Sequence, residues 1–230
     1  MNKPDLLLLH GAAGAASQFE PLLPLLAGKY QLHLLDFEGH GNSPPRERPF
    51  RAEHFAENVV EYLVSRAISP VNIFGYSMGG YVAMYLAKTR PELVKGVATL
   101  GTKFHWDAEV AVREAKLLDA GKIEQKVPHF ARALEARHTA SDWKAVLSKT
   151  VEMMAALGEH NVLTLEGYGK IEQRARIGVG DRDTMVSVEE SAAVYRALPN
   201  GEIEVFPGTP HPLEKVLLSR LARSLMEFFG

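Results

Sequence analysis

The most informative segment of the chain is Val71-Asn72-Ile73-Phe74-Gly75-Tyr76-Ser77-Met78-Gly79-Gly80. Its first four residues form a short apolar run typical of a buried strand, and residues 82–88 continue with helical spacing. A serine on so sharp a strand-to-helix turn has a strained backbone, and its hydroxyl projects above the sheet. Gly75 and Gly79 stand two residues before and after Ser77, where close backbone approach leaves no room for a side chain. The pattern therefore predicts that Ser77 is a nucleophile.

The alternative interpretation is a glycine-rich turn that only packs, because G-x-S-x-G alone often arises by chance. The strand before the motif and the helix after it favour the nucleophile. A helix that begins immediately after Ser77 also aims the amide of Met78 at negative charge that develops during a reaction. We therefore expect Met78 N–H to be one donor of an oxyanion hole.

Short apolar runs alternate with amphipathic stretches along the rest of the chain. The predicted strands are residues 6–9, 31–35, 71–75, 94–100, 175–179 and 202–206. Apolar residues at helical spacing mark a helix around residues 55–63 and one face of a C-terminal helix, namely Leu213, Val216, Leu217, Leu221, Leu225 and Phe228. This alternation predicts an α/β fold with a mostly parallel sheet and helices on both faces. Active sites of such sheets lie at the carboxyl ends of the strands.

One segment, residues 103–171, shows helical periodicity and no clear strand. Its most regular helix is predicted to begin after Ser141 as N-cap and to run to Gly158. We interpret the segment as a small helical cap inserted after the fourth strand. Residues 1–102 and 172–230 then form the core domain. Within that core, Arg176 and Gly178 are unusual for a buried strand, so we expect Arg176 at a sheet edge or with its charge reaching solvent.

Composition limits the classes of function. The 230 residues are 46% hydrophobic and 23% charged, with 26 basic against 28 acidic residues and no cysteine. The balanced charge gives no indication of nucleic-acid binding, and no apolar run is long enough for a signal peptide or a membrane span. Without cysteine there is no disulfide, thiolate metal site or cysteine nucleophile. We expect a cytoplasmic protein that binds neither membrane nor nucleic acid; its oligomeric state is not readable from the sequence.

Two further motifs carry a resemblance to a known family. His10-Gly11-Ala12-Ala13-Gly14 follows the first strand, and Asp36-Phe37-Glu38-Gly39-His40-Gly41-Asn42-Ser43 follows the second. With the Ser77 turn, they make the chain resemble the α/β-hydrolase superfamily, in particular small bacterial serine esterases and lactonase-like enzymes with a Gly-x-Ser-Met-Gly-Gly elbow. The resemblance covers nearly the whole chain outside the cap. It implies the α/β-hydrolase fold, trimmed of two N-terminal strands that the family often carries.

The resemblance also implies the second oxyanion donor. It places the amide of Ala12 beside that of Met78, and the small residues 12–16 keep bulk away from an acyl group. His10 is interpreted as structural. It is kept as an alternative base because a histidine beside Ser77 could compete for its proton.

The base and the acid are predicted on loops that follow later strands. His211 is the one histidine after the final predicted strand, and it follows Gly208 as the family motif requires. The family pattern places the acid three residues after Gly180, which selects Asp183 over the alternative Asp181. The order serine, acid, histidine is that of the α/β hydrolases. Ser187 and Glu190 fit a capping box that starts the next helix.

The sequence thus predicts a cofactor-independent serine hydrolase that cleaves a small ester through an acyl-enzyme intermediate. Its catalytic residues would be Ser77, Asp183 and His211. The same triad could serve carbon–carbon cleavage, elimination, acyl transfer or peracid formation, and a ligand receptor could retain this fold. We expect no metal site, and a small-molecule substrate with a short acyl group. Candidates for the pocket wall are Phe104, His105, Trp106, Trp143 and Met154.

Overall fold

A computed structural model describes residues 3–230 and shows one sheet of six parallel strands. The strands are β1 Asp5–Leu9, β2 Gln31–Leu35, β3 Val71–Tyr76, β4 Val94–Leu100, β5 Arg174–Gly180 and β6 Gly201–Phe206. Their order across the sheet is β2-β1-β3-β4-β5-β6. All six predicted strands are confirmed. β3 and β4 lie at the centre of the sheet, and β1 pairs with β3 so that their carboxyl ends lie side by side.

Ten α-helices surround the sheet in the part of the chain that the structure describes. They are α1 Leu23–Leu26, α2 Ala52–Arg66, α3 Met78–Thr89, α4 Ala108–Ala115, α5 Ala120–Lys126, α6 Pro128–Arg137, α7 Trp143–Glu159, α8 Leu165–Tyr168, α9 Val188–Ala197 and α10 Leu218–Phe229. Short 3₁₀ turns add residues 16–22, 91–93, 116–118 and 213–215. Within residues 3–230, none of these helices combines the length and apolar character that crossing a bilayer requires.

Both faces of the sheet are buried because alternate strand residues point to opposite sides. Leu7 and Leu9 of β1 join one apolar core with residues of α2, α3 and α9. Leu6 and Leu8 join a second core with residues of α1 and α10. The predicted parallel sheet with helices on both faces is therefore confirmed.

The segment between β4 and β5 contains α4 to α8 and no strand. These helices fall where the sequence predicts an insertion after the fourth strand, and this segment is called the helical insertion below. Its longest helix does not begin where the sequence indicated. Asp142, not Ser141, is the N-cap of α7, and its carboxylate accepts a hydrogen bond from Lys144 N–H at 2.9 Å.

Three further details differ from the sequence expectations. The C-terminal helix begins at Leu218 after a 3₁₀ turn, which breaks the helical period and leaves Leu217 66% exposed. Ser187 caps α9 as predicted, but the Glu190 carboxylate accepts N–H groups of Phe104 and His105 instead of completing the capping box.

Arg176 does not lie at a sheet edge, because β5 pairs with both β4 and β6. Its guanidinium is held by the carboxylate of Glu202 at 2.7 Å and by the carbonyl of Ser224 at 2.9 Å. It also lies over the Phe228 ring, 4.9 Å from its centroid. These neighbours let a cation occupy an interior strand.

Candidate active site

Ser77 occupies the turn between β3 and α3 with φ 50° and ψ −118°, a conformation that L-residues rarely adopt. The flanking glycines make this turn sterically possible. A Cβ placed on Gly75 would lie 2.4 Å from backbone atoms of Gly80, and one on Gly79 would lie 2.2 Å from the Leu9 carbonyl oxygen. The predicted need for glycine at both positions therefore follows from close backbone contacts.

Neighbouring groups fix the strained backbone of Ser77. Its N–H donates to the Leu100 carbonyl of β4 at 2.9 Å. Its carbonyl accepts the N–H of Gly80 at 3.0 Å and the hydroxyl of Thr102 at 3.0 Å. The serine thus sits on a rigid mount between two central strands and the first turn of α3.

His211 reaches Ser77 from the loop after β6. Its Nε2 lies 3.3 Å from Ser77 Oγ, and its Nδ1 lies 2.7 Å from Asp183 Oδ2. A carboxylate only accepts, so Nδ1 carries the proton and donates it to Asp183. Nε2 is then free to accept the proton of the Ser77 hydroxyl. This is the arrangement that a general base requires.

Tyr76, which the sequence analysis did not identify, helps to hold the loop that carries His211. The Tyr76 hydroxyl donates to the His211 carbonyl at 2.8 Å and so links β3 to the histidine loop. The two ring centroids are 5.6 Å apart. No sequence signal identified Tyr76, because the position before the serine needs no particular side chain for the turn itself.

Asp183 is the acidic partner of His211, with a side chain only 1% exposed. Burial alone would raise the pKa of its carboxyl. The hydrogen bond and charge of His211, with the N–H groups of Met185 and Val186 on Oδ1, outweigh burial and leave the pKa below its ordinary value. Asp183 is therefore an anion at neutral pH.

Asp181 and His10, the alternative acid and the alternative base from the sequence analysis, form hydrogen bonds with other parts of the chain. Asp181 is exposed and accepts the N–H of Thr209 at 3.3 Å, which makes it part of a turn. His10 is fully buried, its Nδ1 bonded to the Gly11 carbonyl and its Nε2 to the Phe37 N–H. Burial lowers the pKa of His10 to about 3. In the described part of the chain, neither side chain forms a hydrogen bond with Ser77 or His211.

The loop between β1 and the first 3₁₀ turn, residues 10–15, lies against the serine. It is called the oxyanion loop below, after the role that the sequence predicts for the Ala12 amide. A Cβ placed on Gly11 would be 3.2 Å from Ser77 Cβ. Ala12 and Met78 line the same cavity as Ser77 and His211. Among residues 3–230 neither the Ala12 nor the Met78 amide has a hydrogen-bond acceptor. Both predicted donors thus belong to residues that line the cavity.

The cavity has a volume of about 230 Å³ and lies between the sheet and the inserted helices. Its wall is largely apolar, and the inserted helices supply Leu117, Leu118, Phe130, Met153, Met154 and Leu157. Of the predicted wall residues, Trp106 and Met154 line it. Phe104 belongs to the main core, His105 is exposed, and Trp143 packs in a separate small cluster.

No cluster of three His, Cys, Asp or Glu side chains suited to a metal ion occurs among the described residues. The chemistry that the geometry offers is proton transfer between a hydroxyl and an imidazole. The backbone amides of Ala12 and Met78, residues that line the same cavity, are the predicted oxyanion donors.

Comparison with known proteins places this geometry in context. Residues 4–151 match a family model described as alpha/beta hydrolase fold. The chain is 28% identical to the pimeloyl-[acyl-carrier protein] methyl ester esterase of Chromobacterium violaceum, over 90% of this chain and 87% of that protein. It is 24% identical to the (E)-2-((N-methylformamido)methylene)succinate hydrolase of Acinetobacter baylyi, over 90% and 82%.

Solved structures agree in fold. The crystal structure of the enol-lactonase from Burkholderia xenovorans LB400 superposes with a TM-score of 0.81 at 18% identity, covering 100% of this chain and 92% of that one. At this level of identity the similarity concerns the arrangement of strands and helices.

Proposed function

The chain belongs to the alpha/beta hydrolase family, and we propose that it is a serine esterase acting on a small carboxylic ester. Ser77 is the nucleophile, His211 the general base and Asp183 the residue that orients it. The observation that carries the proposal is the continuous line of hydrogen bonds from Ser77 Oγ through both nitrogens of His211 to Asp183.

The reaction proceeds in two acyl transfers. His211 Nε2 takes the hydroxyl proton as Ser77 Oγ attacks the ester carbonyl carbon, and the carbonyl oxygen becomes an oxyanion. The amides of Ala12 and Met78 donate to that oxygen. Protonated His211 then gives its proton to the departing alcohol. Water, deprotonated by His211, then attacks the acyl carbon. As the bond between that carbon and Ser77 Oγ breaks, His211 returns the proton to Ser77 Oγ, which releases the acid and restores the hydroxyl.

Asp183 acts through His211. By accepting the Nδ1 proton it keeps Nε2 in the form that can take a proton from Ser77, and it stabilises the imidazolium that follows. Its buried, ionised carboxylate suits this role, because the interaction with a developing positive charge is strong where water is excluded.

The cavity indicates an ester with an apolar acyl or alcohol group. Its wall is mostly aliphatic and thioether side chains, which favour apolar ligands through burial of their surface. The relative named as a methyl ester esterase is consistent with ester cleavage at such a site. The small residues of the oxyanion loop leave space at the reacting carbonyl.

A panel of p-nitrophenyl esters from acetate to octanoate tests the proposal. The wild-type protein should hydrolyse the shorter members, and Ser77→Ala should lower kcat by about 10⁴-fold or more with an unchanged unfolding midpoint. Ser65→Ala, on the exposed surface of α2, is the matched control and should keep full activity.

Two results would contradict the proposal. Undiminished turnover by Ser77→Ala would place the chemistry elsewhere. Saturable binding of the esters by the wild-type protein without any turnover would favour a ligand receptor on the same fold.

A further inference from the structure

The oxyanion loop contains a strained residue that the triad does not explain. Gly14 N–H donates to the Gly11 carbonyl at 3.0 Å, which closes a turn with Ala12 and Ala13 at its centre. Ala13 has φ +52°, a left-handed conformation that normally favours glycine. Such a conformation persists only where surrounding contacts hold it in place.

Two side chains from the inserted helices supply these contacts. The carbonyl oxygen of Ala13 accepts a hydrogen bond from Arg137 Nη1 at 3.0 Å and another from His138 Nε2 at 3.1 Å. Arg137 is the last residue of α6, and His138 is its C-cap. The end of a helix more than a hundred residues along the chain therefore fixes one peptide group of the oxyanion loop.

The protonation state of His138 follows from its second contact. Its Nδ1 is bonded to the N–H of Gly41 at 3.1 Å, so Nδ1 must be an acceptor and carries no proton. Nε2 then carries the proton that it donates to Ala13. Burial lowers the pKa of His138, which agrees with a neutral ring. The ring joins the oxyanion loop to the loop after β2 by using both nitrogens.

We propose that His138, assisted by Arg137, is a positioning residue for the oxyanion hole, an inference that rests on the proposed esterase function. The amide of Ala12 lies in the same turn as the Ala13 carbonyl. Holding that carbonyl fixes the direction in which the Ala12 N–H points beside Ser77. Oxyanion donors act only when they are held in place before the charge develops, and a misplacement of about 1 Å can cost about 100-fold in rate.

Two substitutions at position 138 separate its two contacts. Asparagine places its amide near the former Nδ1 and can still accept from Gly41, but it does not reach Ala13. Glutamine reaches the former Nε2 position and can donate to Ala13, but it loses the contact with Gly41. Because the proposal depends on the Ala13 contact, the two variants should differ in catalysis.

The experiment measures kcat and KM for p-nitrophenyl butyrate. We expect His138→Asn to lower kcat by about 10- to 100-fold with KM within about twofold of wild type. His138→Gln should recover kcat to within about fivefold of wild type. His105→Asn, at an exposed histidine of the same insertion, is the matched control and should leave both constants unchanged.

Unfolding midpoints measured in parallel separate positioning from a structural role. Wild-type kcat in His138→Asn, or equal kcat in the two variants with only their unfolding midpoints lowered, would overturn the inference. If His138→Asn does not fold, Arg137→Met replaces it. That variant should lower kcat at constant KM, and an unchanged kcat would overturn the inference. If the wild-type protein itself shows no turnover that depends on Ser77, the result would instead contradict the proposed function.

Discussion

Asp183 and Asp181 show how two identical side chains, two residues apart, acquire different roles. The carboxylate of Asp183 is buried, accepts two backbone N–H groups on Oδ1 and meets His211 on Oδ2. Asp181 is exposed and bonds to Thr209 N–H. The family spacing selected Asp183 from the sequence, but composition and periodicity could not. Both residues follow the same strand, and only the path of the backbone brings one of them to the histidine.

This difference predicts a matched pair of variants. Asp183→Asn should lower kcat by about 10⁴-fold, because an amide no longer holds the His211 proton on Nδ1 and no longer stabilises the imidazolium. Asp181→Asn should stay within about twofold of wild type. Steady-state kinetics with a p-nitrophenyl ester measures both. Comparable losses in the two variants, or a fully active Asp183→Asn, would contradict the assigned acid.

At the scale of elements, the sequence predicted what depends on local pattern. The six strands follow from apolar runs between turn residues, and the turn at Ser77 follows from its glycines. The first and last residues of a helix depend on the conformation of the flanking residues, which the apolar spacing does not determine. Leu217 was expected on a buried face because its spacing fitted a continuous helix, whereas a 3₁₀ turn shifts the true helix start to Leu218.

The N-terminus of α7 makes the same point and gives a second prediction. Ser141 and Asp142 are adjacent residues that both favour the N-cap position, and the sequence pattern selected Ser141 wrongly. In the structure Asp142 accepts Lys144 N–H, whereas the Ser141 hydroxyl is buried without a hydrogen-bond partner in the described chain. Asp142→Ala should therefore lower the free energy of unfolding by about 1 kcal/mol.

Ser141→Ala is the control for the cap, and it should change the free energy of unfolding by less than about 0.5 kcal/mol. Urea unfolding monitored by circular dichroism measures both variants. A larger loss for Ser141→Ala than for Asp142→Ala would show that the helix is capped as the sequence first indicated.

At the scale of the whole molecule, three buried histidines meet where the core and the inserted helices join. The His40 ring centroid lies 5.1 Å from that of His10 and 5.7 Å from that of His138. No motif in the sequence marked His138 as part of the site, because the packing of an inserted segment against the core is not encoded in local periodicity. This junction is the main feature of the site that the sequence did not predict.

The cluster predicts a loss of stability on mild acidification. Burial lowers the pKa of all three rings, to about 3 for His10, so the folded state holds them neutral. The unfolded chain binds their protons below about pH 6.5. The neutral rings therefore make their full contribution to the free energy of unfolding above that pH. Below it, this contribution falls by about 1.4 kcal/mol per pH unit for each histidine, until the pKa of that histidine in the folded state is reached.

Between pH 6.5 and 5 the His10 contribution alone is about 2 kcal/mol. Urea unfolding at several pH values measures the slope of the free energy of unfolding against pH. Because His10→Asn removes one proton-binding group, it should lower that slope by about 1.4 kcal/mol per pH unit. A free energy of unfolding that stays constant from pH 7 to pH 5 would contradict neutral, buried rings.

Covalent labelling tests whether Ser77 is a nucleophile that His211 activates. A fluorophosphonate should phosphonylate Ser77 Oγ with release of fluoride as His211 takes the hydroxyl proton. Intact mass spectrometry should show one adduct, peptide mapping should place it on Ser77, and labelling should be absent in Ser77→Ala and strongly slowed in His211→Ala. An adduct on another residue, or labelling at the same rate without the imidazole of His211, would contradict the account.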